Sequence, residues 1–231
     1  MLVRKKLIGS VGYMGGIMSV PEPFCWAWGN MCAHTENALC AEDEHIHFDR
    51  AKFSLHDFAR HELISRMEGD WIVMLDTDVT FEPDVVARLV ATADRYQVDV
   101  LSGIYCHKAP PHFPVLFIWN PETKQKEVIA AWDRTSEIFE FDWGGGGCLF
   151  VRRGVFNRIA AELHENPFDR IGIKGEDHSF FTRLQKLGIQ AYCAWQIEAE
   201  HLEYLGISAS RDFHLDREPD HTYEREAFQP V

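Results

Sequence analysis

Asp76 and Asp78 stand two residues apart at the end of an apolar run, Trp71-Ile72-Val73-Met74-Leu75. Consecutive apolar residues bounded by polar ones read as a strand buried on both faces, as in a parallel sheet. Behind them, Glu82-Pro83-Asp84 precedes Val85, Val86, Leu89, Val90 and Ala93, which recur at helical spacing. Pro83 suits a first helical turn, and the acids beside it favour the positive end of that helix. The two aspartates therefore sit at the carboxyl edge of a buried strand, where open α/β sheets hold their ligands. Both side chains can turn toward one cation, and hard oxygen ligands of this kind suit Mg2+ or Mn2+ carrying phosphates. A plainer role is open to the same pair, as acids that cap the helix behind them.

Further carboxylates stand in Gly175-Glu176-Asp177, at the start of a second helical pattern. Asp177 precedes Phe181 by four residues and Leu184 by seven, which places it on the inward stripe at the helix start. A carboxylate there faces a cleft and can take a proton; it also fits as an acid at a helix N-terminus. Two glycine-rich stretches add candidate contacts. Gly12, Gly15 and Gly16 close the first predicted strand, where a nucleotide can approach the backbone, or where the chain simply turns. Gly144 to Gly147 give no packing and cost backbone entropy, so a close approach by ligand or backbone, or a hinge, must account for them.

These residues need elements to position them. Strands are predicted over 2–11, 44–49, 71–75 and 98–105. Helices fall between them, within 21–40, from Ser54-Leu55-His56-Asp57 to Gly69, and behind Pro83. Ser54 begins a capping-box-like start, and Leu55, Phe58, Ala59, Leu63 and Met67 form the inward stripe of that helix. This β-α-β-α-β-α-β order is a nucleotide-binding pattern of the Rossmann type. Later come a hairpin over 115–119 and 127–132, strands over 138–143, 148–151 and 189–195, and helices after Gly154 and Gly175. His201 falls in an acidic loop, and a polar tail runs from Ser208 to Val231.

The 231 residues suffice for one large domain, and 46% hydrophobic residues supply its core. A net charge of −13 with dispersed acids excludes a sequence-independent nucleic-acid binder, which needs a basic face. The six cysteines form no Cys-x-x-Cys pair, which suits a reduced cytoplasmic chain. Residues 7–20 are too rich in glycine for a secretory leader, and no run is long enough to span a bilayer.

In order and spacing, these pieces resemble glycosyltransferases of the GT-A fold, most closely the large inverting group that includes bacterial surface-polysaccharide transferases. The resemblance is carried by several motifs. They are Leu75-Asp76-Thr77-Asp78 with Phe81-x-Pro83, Gly144 to Gly147 with Arg152-Arg153, Gly175-Glu176-Asp177 with Arg183 and Gly188, and His201. The implied fold is α/β with a mixed central sheet. Residues 1–106 form a Rossmann-like nucleotide-binding half, 107–205 a smaller acceptor-side half and 206–231 a tail. The resemblance implies transfer of one sugar from a nucleoside-diphosphate sugar to a hydroxyl of a glycan, lipid or small-molecule acceptor. It implies Asp78 as holder of Mn2+ or Mg2+, with Asp76 reaching the ribose or the metal shell and His201 completing the metal site. Asp177 of the Glu176-Asp177 pair is implied as the acceptor base, and Arg60 as a residue near the nucleotide. Neither Gln-x-x-Arg-Trp nor membrane helices are present, which favours single transfer over polymerisation.

Other readings compete. Asp76-Thr77-Asp78-Val79-Thr80 also matches the first motif of haloacid-dehalogenase-type phosphatases, with Asp76 as nucleophile. That motif usually opens a chain, whereas here a β-α-β-α lead precedes it. A nucleotidyltransferase lacks its Arg-containing first loop, and a non-catalytic sugar- or metal-binding module leaves Asp177 without a purpose.

Overall fold

A computed structural model describes residues 6–14, 20–52 and 55–202. At its centre Trp71–Leu75 (β3) is buried at every position. Period-two alternation divides its side chains between two cores. Ile72 and Met74 join one core, and Trp71, Val73 and Leu75 the other. On the first face lie His56–Ser65 (α2), Arg153–Arg158 (α4) and Glu176–Lys186 (α5), through Ala59, Leu63, Val155, Phe156, Phe180 and Leu184. On the second lie Glu22–Leu39 (α1) and Val85–Tyr96 (α3), through Phe24, Met31, Val86, Leu89 and Ala93. A π-helical turn, Ile159–Leu163, continues α4.

The main sheet also contains Lys6–Met14 (β1), Glu44–Ala51 (β2), Val79–Phe81 (β4), Val100–Ile104 (β5), Phe139–Phe141 (β8), Cys148–Arg152 (β10) and Ala191–His201 (β11). Its order is β2-β1-β3-β10-β5-β11-β4, with β8 on β11. β3 runs parallel to β1 and antiparallel to β10, so the sheet is mixed, and strands from late in the chain are built into its middle. A separate small sheet has Leu116–Asn120 (β6) between Gln125–Val128 (β7) and Trp143–Gly144 (β9).

Several expectations shift. α2 buries Ala59, Arg60 and Leu63 and leaves Leu55 and Phe58 exposed. At about 100° per residue, turning Arg60 inward sends Phe58 to the far side. β1 runs on through Gly12 to Met14, and a Cβ on Gly12 would lie 2.6 Å from Leu63 of α2. Gly12 is thus a strand residue that makes room for a helix, and Gly15 and Gly16 lie outside the described residues. β11 is longer than expected and ends on His201, which therefore belongs to a strand and not to a loop. A bulge after Ala194 interrupts its register. Beyond it Ile197 and Ala199 are buried between the more open Glu198 and Glu200, an alternation that the charged residues disguise. Ser54 of the capping motif and the tail over 208–231 lie outside the described residues.

Candidate active site

Asp76 follows Met74 by two residues and shares its face of the sheet, the face on which α2 and α5 pack. Arg60, buried in α2, reaches it there: Nη2 lies 3.3 Å from Asp76 Oδ1. The same Nη2 lies 3.1 Å from Asp177 Oδ1, and Nε is 3.8 Å from Glu176 Oε1. Nη1 donates to the carbonyl of Gly146 at 3.2 Å. One guanidinium thus joins the end of β3 to the start of α5, with Phe168 beneath it at 5.3 Å. The Gly146 N–H donates to Asp177 Oδ2 at 3.1 Å, and His56 Nδ1 stands 3.3 Å from Glu176 Oε1.

The four glycines are explained by side chains of the protein itself. A Cβ on Gly146 would lie 2.3 Å from Arg60 Nη2, one on Gly145 2.0 Å from the Tyr105 hydroxyl, and one on Gly144 2.8 Å from Phe141. The Gly147 N–H donates to the Tyr105 hydroxyl at 2.9 Å, and its carbonyl accepts from the Asp76 N–H at 3.0 Å. No hinge is needed to account for them. The loop lies so close to Arg60 and Tyr105 that only glycine fits.

Charge is unevenly matched. Burial pushes Asp76 up to about 6, against the pull of Arg60 and with help from the Asp177 and Asp78 carboxylates. Burial likewise raises Asp177, again against Arg60 and with Glu176 adding to the rise. Burial alone would raise Glu176 too, but the bond from His56 and the Arg60 charge hold it down at about 2. Tyr105 is raised well above its ordinary value, chiefly by burial.

Asp78 sits apart from this network, paired with Lys108 at 2.7 Å. His201 is drawn close through β11: it pairs with Val79, and the next N–H, of Leu202, donates to the Asp78 carbonyl at 2.7 Å. Its Nδ1 meets the Cys106 carbonyl, and its ring stands edge-on to Tyr105. Thus Asp76, Arg60, Glu176 and Asp177 are brought together, Asp78 and His201 are neighbours through the backbone, and Gly12 is a packing residue. Arg152 and Arg153 are also structural. Arg153 Nε donates to Gly69 O at 2.6 Å, and Arg152 Nη2 meets Asp94 at the same distance.

Sequence reasoning missed His56, Tyr105 and Lys108. It also missed a cleft of about 720 Å3 lined by Tyr13, Trp28, Phe48, Asp49, Arg50, Lys52 and Arg66. The cleft lies at the carboxyl ends of β1 and β2, and Tyr13 is paired with Leu75, the residue before Asp76. The available signal was Asp49 closing the second predicted strand and Tyr13 standing two residues past the first.

A sequence model of the family described as "Glycosyl transferase family 2" matches residues 37–157. That stretch holds Arg60, Asp76, Asp78 and the glycine loop and stops short of Asp177 and His201. Among solved structures, the crystal structure of A197 from STIV matches with a TM-score of 0.55 at 18% identity, over 90% of this chain and 91% of that one. At that identity the likeness is one of fold. No curated protein sequence matches the chain.

Proposed function

The chain belongs to glycosyl transferase family 2 and has the GT-A fold, and on that premise we propose a single-sugar transferase. Its donor is a nucleoside-diphosphate sugar, its acceptor a hydroxyl, and its stereochemical course inversion. The observation that carries this reading is the Arg60 bridge, which sets the carboxylate of the donor side, Asp76, within one guanidinium of the carboxylate at the head of α5, Asp177. Family membership sets aside the phosphatase reading of Asp76-Thr77-Asp78.

The residues fit a divalent cation held jointly with the donor. Among the described residues no three ligating side chains are gathered, so a cage made by protein alone is not on offer. Mg2+ and its relatives are commonly held by one or two carboxylates plus substrate phosphates, and Asp76 and Asp78 supply two. The crowding that pushes Asp76 up to about 6 is a local excess of negative charge that a cation relieves. Lys108 already places one positive charge on Asp78, and both side chains are more than a third exposed, so exchanging that partner costs little. When bound, the ion stabilises the negative charge that grows on the departing diphosphate. His201 stands beside Asp78 as the candidate third ligand.

The chain's own residues do the rest. The cleft at the ends of β1 and β2 takes the nucleoside, with Tyr13 and Trp28 offering ring surface and Tyr13 paired with Leu75 at the strand end. Asp177 accepts the acceptor proton. The acceptor oxygen bonds to the anomeric carbon as that carbon's bond to the phosphate oxygen breaks, and the nucleoside diphosphate leaves. Gly146 and Arg60 fix the Asp177 carboxylate, and its raised pKa makes it a better base than a solvated aspartate. A single displacement needs one base, which supports inversion.

Thermal unfolding with nucleotide tests the reading. UDP or GDP with Mn2+ should raise the melting temperature, and Asp78→Ala should abolish the rise. If neither nucleotide stabilises the wild type, the donor assignment fails. If the variant is stabilised equally, Asp78 leaves the metal shell.

A further inference from the structure

Arg60 and Lys108 both serve the carboxylates at the end of β3, and they are held in different ways. Arg60 is buried and fixed by Asp76, Asp177 and the Gly146 carbonyl, so its charge stays where it is. Lys108 Nζ donates to Asp78 Oδ2 at 2.7 Å, and among the described residues this is its ion pair. The lysine side chain is 38% exposed and that of Asp78 45%, so solvent screens the pair and it exchanges readily.

The backbone beneath Lys108 is anchored. Residues 107–113 form a short turn closed by the bridge between Cys106 and Pro114. The His107 N–H donates to the Phe113 carbonyl at 2.9 Å, and the His112 N–H to the Ala109 carbonyl at 3.1 Å. The base of the turn is tied to the Asp78 side of the site: the Cys106 carbonyl meets His201 Nδ1, and the Leu202 N–H donates to the Asp78 carbonyl at 2.7 Å. A set backbone with a flexible four-carbon stem lets the ammonium swing about Asp78 without leaving its neighbourhood.

We propose that Lys108 is a donor-binding residue that changes partner, holding Asp78 in the free protein and the diphosphate in the loaded one. Asp78 cannot serve the ammonium and a divalent cation at full strength together, because the two positive charges repel at that distance. Lys108 therefore releases the carboxylate when the site is filled. A nucleoside diphosphate carries more negative charge than one divalent ion neutralises, and the remainder attracts the ammonium that Asp78 gives up. There Lys108 faces the phosphate oxygens on which charge grows as the sugar departs. Asp78 is at no stage left bare beside Asp76. The proposal rests on the transferase reading and adds to it a positive charge on the leaving group that the chain itself supplies.

Removing the ammonium should move two affinities in opposite directions. Lys108→Met keeps most of the stem at a partly exposed position. Mn2+ alone, followed by the loss of its free electron-spin-resonance signal, should bind the variant up to about fivefold more tightly, the strength of a screened ion pair. UDP or GDP with saturating Mn2+, followed by calorimetry, should bind it roughly tenfold more weakly, the scale of a lost charged hydrogen bond. Uridine or guanosine, which lack phosphates, should bind variant and wild type alike. Lys108→Arg should restore the diphosphate affinity. Unchanged Mn2+ affinity in Lys108→Met overturns the competition for Asp78, and unchanged diphosphate affinity overturns the second partner; either result ends the exchange. Nucleoside affinity that falls in step with the diphosphate makes Lys108 a structural residue and overturns it equally. A wild type that binds neither UDP nor GDP overturns the transferase reading itself.

Discussion

The two sides of the glycine loop handle charge in opposite ways. Toward the main sheet, Arg60 is buried and touched by Asp76, Glu176 and Asp177, with Asp78 close by. Negative charge exceeds positive there, and two of the carboxylates are pushed toward neutrality. Toward the small sheet, Lys126 rests over the rings of Phe117 and Trp143, and burial pushes Lys126 and His178 down. The first side surrounds one buried cation with carboxylates, and the second holds an exposed one over aromatic rings. The glycine loop lies between the two.

If that contrast is right, Asp177, the carboxylate between the two regions, carries the largest effect. Asp177→Asn keeps size and most hydrogen bonds but removes the base. Turnover should fall on the order of 10²–10⁴-fold, with UDP affinity nearly unchanged. Near-normal turnover would make Asp177 a helix-start residue only. Next comes Arg60→Met, which leaves three carboxylates without their buried partner. Removing one member of a buried ionic cluster costs about 3–5 kcal/mol, readable by urea denaturation at neutral pH. A loss below about 1 kcal/mol would show that water, not Arg60, compensates these acids.

The residues whose meaning was readable from the chain are those whose neighbours in sequence set their environment. β3 announces itself by its apolar run, and Asp177 by its spacing to Phe181 and Leu184. The resemblance drew attention to Arg60 but placed it near the nucleotide. Burial in α2 directs its guanidinium to Asp76, Asp177 and the Gly146 carbonyl. Nothing local to the sequence marks an arginine that turns a helix inward and leaves Phe58 in solvent. The packing role of Gly12 was hidden for the same reason, since its partner Leu63 is distant along the chain. Lys126 was silent because the rings beneath it, Phe117 and Trp143, come from other strands. The glycine loop was half legible: the need for a close approach was clear, but the approaching groups, Arg60 and Tyr105, come from other elements.

The smallest expected effect concerns His56, the one charge on the acidic side that is largely exposed. Its side chain is 62% exposed, against 8% for Glu176, so solvent screens the pair. The bond to Glu176 raises His56 above its ordinary 6.5, and Glu176 itself is held at about 2, below its ordinary 4.5. The signs are opposite. The His56 contribution is complete below pH 6.5 and is lost as pH rises through its raised folded value. The Glu176 contribution is complete above 4.5 and is lost as pH falls toward about 2. The pair is therefore strongest between those limits. His56→Ala should cost about 0.5–1 kcal/mol at a pH near 5.5 and less at a pH near 9, by urea denaturation at each. Arg60 still faces Glu176 in the variant, which keeps the loss far below that of Arg60→Met. An equal loss at both pH values would mean that His56 acts by packing. The acidic side would then rest on Arg60 alone, and the contrast between the two regions would sharpen to one buried guanidinium among carboxylates against one ammonium over aromatic rings.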